Sequence, residues 1–199
     1  MKPLTQLTSH YVVIENEDID TDQIIPARFL TATTREGVGG GLFAAWRHNA
    51  AGDPDPDFAL NRPEAEGAQV LVAGRNFGCG SSREHAAWVL QQNGFRVVVS
   101  TEIADIFRSN ALKNGVLPVV VPAAVHERLV AARVGTVAVD VENQTLCLED
   151  GTEATFTIDP FAKYCLVNGV DELSFLLQQV DSVASFEQRA LESQREEFG

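Results

Sequence analysis

The stretch Gly74-Arg75-Asn76-Phe77-Gly78-Cys79-Gly80-Ser81-Ser82-Arg83-Glu84-His85-Ala86 follows directly on the apolar run Val70-Leu71-Val72-Ala73 and leads into a helical pattern. Strand, glycine turn and helix are thus in immediate succession. Gly78 and Gly80 permit a tight turn in which successive backbone N–H groups face one concavity at the helix N-terminus, and such a concavity binds anions. Ser81 or Ser82 can cap the helix, and Glu84, three residues after Ser81, has the spacing of a capping box. A capped glycine turn alone would account for Gly80, one serine and Glu84. Arg83 and His85 go beyond it, because two cations at a helix opening oppose the helix dipole and cost stability unless an anion is bound.

Working outward, two more β-branched runs, at 97–99 and 117–121, alternate with helical patterns over about 83–92 and 103–113. Gly94 and Gly115 fall just past those helices, where a left-handed C-terminal cap is favoured. This alternation predicts an α/β fold with a mostly parallel β-sheet flanked by helices, and an active face at the carboxyl ends of its strands. Upstream, Tyr11-Val12-Val13-Ile14 reads as a strand feeding the acidic loop 15–22. The run 37–41 is glycine-rich, and 49–63, with Gly52, Pro54, Pro56, Pro63 and three aspartates, reads as a surface excursion. Downstream, short strands are expected at 136–141, 145–148 and 154–158, then helices at 160–167 and 171–180. The charged tail 182–199 is a terminal helix or a frayed end. One domain is expected over residues 1–199.

A net charge of −13 and a pI near 4.6 argue against nucleic acid or an anionic membrane as partner, and require the few cations to be concentrated where an acidic substrate binds. No apolar run reaches the roughly 18–20 residues that span a bilayer, and the first residues lack the order of a signal peptide, so a cytoplasmic location is expected. Cys79, Cys147 and Cys165 are an odd number at wide spacings, which fits reduced thiols, and no metal ligated by this chain is expected. Cys147 and Cys165 are read as buried apolar fillers. Cys79 sits where a helix could lower its pKa, but a nucleophilic role is disfavoured.

Residues 77–86 resemble the signature of the swivel domain of aconitase-type hydro-lyases, and Asp20-Thr21-Asp22-Gln23-Ile24-Ile25-Pro26 resembles that family's earlier substrate-loop element. The resemblance continues into the small subunits of bacterial 3-isopropylmalate dehydratases through Leu42-Phe43, Trp46-Arg47, Asp57-Phe58, Asn61, residues 104–107, Asn114, residues 117–119 and 156–159, and Asn168-Gly169. It implies a dehydration and rehydration that moves a hydroxyl between adjacent carbons of a malate derivative. It further implies that a 4Fe–4S cluster is held by a separate large subunit, the partner, and that this chain binds no cofactor of its own. By the same resemblance Ser81 is the base, Arg83 grips a substrate carboxylate, and Ser82 contacts substrate or oxyanion, with Gly80 and Asp22 supporting the site.

Arg35 is matched to a further carboxylate-binding arginine, with Arg28 as its alternative, and Leu30 and Thr31 offer a small, apolar lining for a branched alkyl group. His85 is either a structural helix residue or a member of the site. Asp20 and Asp22 are read as turn chemistry or solvated charge rather than as a carboxylate pair for acid-base work, and by the resemblance Asp22 supports the site by orienting a cation or the base. Sister enzymes acting on homoaconitate or methylmalate (citraconate), and a non-catalytic anion-binding domain, are the competing readings.

Overall fold

Strands β2 (Val70–Ala73) and β3 (Val97–Ser100) are buried along their whole length, which is why their sequences are unbroken apolar runs rather than alternating ones. In the computed structural model they lie inside a seven-stranded sheet of order β4-β3-β2-β1-β5-β6-β7. The structure describes residues 1–31, 34, 37–49 and 51–197, with the side chains of 181 and 190–197 outside the description. The parallel half runs from β4 (Leu117–Val120) through β3 and β2 to β1 (Gln6–Ile14). The antiparallel half adds β5 (Thr136–Asp140), β6 (Thr145–Leu148) and β7 (Glu153–Thr155).

The sheet changes direction at β1. Its residues from Tyr11 to Ile14 pair in parallel with β2, whereas Gln6 to His10 pair antiparallel with β5. That first half extends the strand expected at 11–14. It is polar and only partly buried, so its strand character comes from the ladder with β5 rather than from an apolar pattern.

Alternate residues of the central strands enter two apolar layers. Leu71, Ala73 and Val98 pack with Ala86, Val89 and Leu90 of α2 (His85–Gln92) and with Phe107 and Ala111 of α3 (Asp105–Lys113). Val70, Val72, Val97 and Val99 pack on the other side with Val125 and Leu129 of α4 (Ala123–Ala132) and Leu166 of α5 (Pro160–Asn168). The expected helices at 83–92 and 103–113 therefore start about two residues later, and α4 joins the parallel half to β5 where no helix was expected. Gly94 and Gly115, at φ +89° and +76°, each follow a helix C-cap as expected.

The last expected strand, 154–158, is shorter, ending at Thr155. Asp159 caps α5 through Phe161 N and Ala162 N, and Gly169 ends it in the left-handed region. Helix α6 (Glu172–Gln178) occupies less of the expected 171–180, and the tail is a continuous helix, α7 (Val180–Glu197). The excursion is tied down by Phe58, which packs with Phe43 and Trp46, and by Asn61, which donates to the Arg47 and Asp55 carbonyls. Cys165 is buried as expected, but Cys147 is not a buried filler: it lies half-exposed on β6, its thiol 3.4 Å from the Glu153 carboxylate. No described helix is long and apolar enough to cross a membrane.

Candidate active site

The glycine turn leaves β2 at its carboxyl end, and each glycine is required by a neighbour. A Cβ on Gly74 would stand 2.2 Å from the Asn16 carbonyl oxygen, and one on Gly78 would stand 2.3 Å from the Phe107 ring, with φ at +78°. Gly80 turns the chain again at φ +87° with Asp20 Cβ beneath it.

Backbone hydrogen bonds fix the loop on two sides. Toward β1, Asp18 N donates to Arg75 O, Gly78 N to Ile19 O, and Thr21 N to Cys79 O. Toward β3, Phe77 N donates to Glu102 O and Ala104 N to Phe77 O. The acidic loop and the serine loop, about sixty residues apart in sequence, therefore form one surface.

Within that surface Asp20 is not a free carboxylate. It caps the short helix α1 (Thr21–Ile24), accepting from Gln23 N while the Gln23 side chain accepts from Asp20 N, a complete capping box. The capping leaves Asp22 projecting from the first turn, where it forms an ion pair with Arg83. Thr21 adds a second link, its hydroxyl donating to Ser81 O at 3.0 Å. Thr21 has no local signal that marks it for this role beyond its place between the two aspartates.

The expected capping of α2 by serine is not found. The helix starts at His85, its N-cap is Glu84 in αR geometry, and Glu84 makes no side-chain cap bond. Glu84 instead accepts a hydrogen bond from the buried Asn114 side chain at 2.9 Å. Ser81 and Ser82 are exposed, and among the described residues their hydroxyls have no hydrogen-bond partner. The Ser81 main chain is nonetheless anchored, its carbonyl accepting from Thr21 Oγ1 and from Arg83 N. An exposed hydroxyl on a fixed backbone is the result. Arg83 is the most enclosed of the three, with 22% of its side chain exposed.

His85 turns its ring onto Trp88, with centroids 4.6 Å apart. Cys79 donates to Asp18 O at 3.3 Å, and burial, with Asp20 and Asp18 nearby, pushes its thiol pKa up. A thiol held protonated is a poor nucleophile, which agrees with the disfavoured reading. Leu30 is half-buried and packs against the core beneath the loop, and Thr31 is exposed. Arg28 is exposed with its guanidinium 4.9 Å from the Phe29 ring centroid, and Arg35 lies outside the described residues.

The cysteines occupy the serine loop, β6 and α5, and among the described residues no group of three or more His, Cys, Asp or Glu could hold a metal ion. The donor set of this chain does not fit an iron–sulfur cluster, which needs several thiolates in one place. The arrangement places an exposed serine hydroxyl two residues from an arginine oriented by Asp22, a set of groups able to bind an anion.

Residues 1–124 match the family model of the aconitase C-terminal domain. A 3-isopropylmalate dehydratase small subunit from Anaeromyxobacter sp. (strain K) is 59% identical over 187 residues, 94% of this chain and 98% of that protein. One from Chloroflexus aurantiacus (strain ATCC 29366 / DSM 635 / J-10-fl) is 54% identical over 191 residues, 94% of this chain and 95% of its own. Among solved structures, the 3-isopropylmalate dehydratase (LeuD) of Methanocaldococcus jannaschii is similar with a TM-score of 0.67 and 22% identity, covering 92% of this chain and 99% of that one, a likeness of fold.

Proposed function

The chain belongs to the aconitase C-terminal domain family, among the small subunits of 3-isopropylmalate dehydratase, and from that premise we propose that it interconverts 2-isopropylmalate and 3-isopropylmalate through 2-isopropylmaleate, as a hydro-lyase of leucine biosynthesis. The partner is a large subunit, and the 4Fe–4S cluster of the active enzyme belongs to that subunit. The pair works in the cytoplasm, where three unpaired thiols stay reduced.

The observation that carries this reading is the ion pair between Asp22 and Arg83, which joins the two signature elements and sets an arginine fork two residues from an exposed serine. Arg83 takes a substrate carboxylate bidentately, with Asp22 fixing the orientation of its plane. Ser81, as alkoxide, removes the proton from the carbon beside that carboxylate as the hydroxyl leaves the adjacent carbon, a departure helped by the Lewis acid that the large subunit would supply; on rehydration the proton goes to the carbon that lost the hydroxyl and the hydroxyl of water to the carbon that lost the proton. A serine hydroxyl is a weak base at neutral pH, so the alkoxide needs the N–H groups of the turn and the Arg83 charge around it. Ser82, exposed beside Ser81, contacts substrate or oxyanion. Gly80 lets the turn close, and Leu30, Thr31 and Arg35 belong to the segment that meets the variable part of the substrate.

The test is reconstitution. The purified chain alone is expected to show no turnover of 2-isopropylmaleate, and activity is expected when it is co-purified with a large subunit carrying the cluster. Turnover by the single chain would overturn the division of labour. Profiling the pair against homoaconitate, methylmalate and isopropylmalate decides the substrate, and a preference for either of the first two would overturn the assignment.

Arg83→Lys tests the fork, because lysine retains the charge and loses the bidentate geometry. Loss of one charge-assisted hydrogen bond implies KM raised and kcat lowered, with kcat/KM down by roughly tenfold or more. Unchanged steady-state constants would remove Arg83 from substrate binding.

A further inference from the structure

Asn114 is fully buried at the C-cap of α3, and its side-chain carbonyl oxygen has no hydrogen-bond partner among the described residues. Most polar groups in a core are hydrogen-bonded, so Asn114 is held by what its amide donates to. The Asn114 amide donates to Asn110 O at 2.8 Å and to Glu84 Oε1 at 2.9 Å. The first bond fixes the amide on its own helix. The second reaches across 30 residues to the N-cap of α2, directly after Arg83.

The backbone there is held within α2, the Glu84 carbonyl accepting from Ala87 N and Trp88 N, and Arg83 pairs with Asp22 on the other side. The serine loop is bonded to its neighbours as far as the Ser81 carbonyl, and Glu84 makes no cap bond to α2. Between Ser81 O and the first turn of α2, the Asn114–Glu84 bond is the side-chain link to α3. It also turns a carboxylate at the mouth of an anion site toward the helix pair, which lessens its repulsion of a substrate carboxylate.

We propose that Glu84 and Asn114 are positioning residues, a strut between α2 and α3 that sets the depth and rotation of Ser81 and Arg83 for proton transfer. This rests on the reading of Ser81 as base. Displacement of a reacting group by a fraction of an ångström can cost one to two orders of magnitude in rate, through kcat more than through KM.

The experiment uses the assembled two-subunit enzyme and the variants Glu84→Ala, Glu84→Gln, Asn114→Ala, the Glu84→Ala/Asn114→Ala double variant and Ser81→Ala. Glu84→Ala is expected to lower kcat by roughly tenfold or more with KM changed by less than about threefold. Glu84→Gln keeps an acceptor for the Asn114 amide and should restore most of kcat. The double variant should be no slower than the slower single variant, since both remove the same link. Glu84 is exposed, so its variants test the strut even if Asn114→Ala does not fold. A kcat for Glu84→Ala within twofold of the parent, with Ser81→Ala inactive, would overturn the proposal alone. So would additive losses in the double variant, or a lowered Tm with unchanged kcat per assembled complex. An active Ser81→Ala enzyme would instead overturn the reading of the base.

Discussion

Replacing Ser81 by alanine is expected to lower the turnover of the assembled enzyme by ~100-fold or more, the scale of losing a general base. The same change should leave stability nearly untouched. Ser81 does not cap α2, its hydroxyl has no partner among the described residues, and the bonds that hold it run to its backbone carbonyl, which alanine retains. The cost should therefore fall below the ~1 kcal/mol typical of a lost helix cap. Kinetics and thermal unfolding, each with the large subunit present, separate the two effects. A Ser81→Ala enzyme that assembles and turns over near the parent rate would exclude Ser81 as the base.

Gly78→Ala should do the opposite, damaging the fold before the chemistry. The position has φ +78°, and the added methyl would stand 2.3 Å from the Phe107 ring. Phe107 cannot swing aside: it is 1% exposed and packs edge-on against Phe77, with centroids 5.1 Å apart. Either α3 or the serine loop must move, and strain of both kinds together should cost about 3 kcal/mol or more. Urea unfolding should show a lower midpoint, and Phe107→Leu placed in the same variant should recover part of the loss by making room. An unchanged midpoint would mean that the loop yields more readily than its hydrogen bonds suggest.

The half of the fold nearest the site was legible because it obeys local rules. Runs such as Val97-Val98-Val99 mark strands buried on both faces, and Gly94 and Gly115 mark helix ends. The misreadings arise where a distant partner competes with a local pattern. Ser81 and Glu84 have the spacing of a capping box, yet Glu84 is taken by Asn114, while the box forms instead between Asp20 and Gln23. Gln6 to His10 look like a polar lead-in until β5 arrives to pair with them. The Asp22–Arg83 ion pair depends on a loop crossing that spacing alone cannot show; a resemblance supplied the order of the two elements and a supporting role for Asp22 toward a cation or the base, but not which group it meets.

The strand at which the sheet changes direction also sets a timetable for a chain emerging from the ribosome. β1 is made first, but its parallel neighbour is residues 70–73 and its antiparallel neighbour residues 136–140. Neither edge can be closed by a tight hairpin, so long loops must be ordered before the central ladder forms, a condition that slows folding. Until then the nine residues that become β1 have their backbone groups unpaired on both sides, open to pairing with a wrong partner.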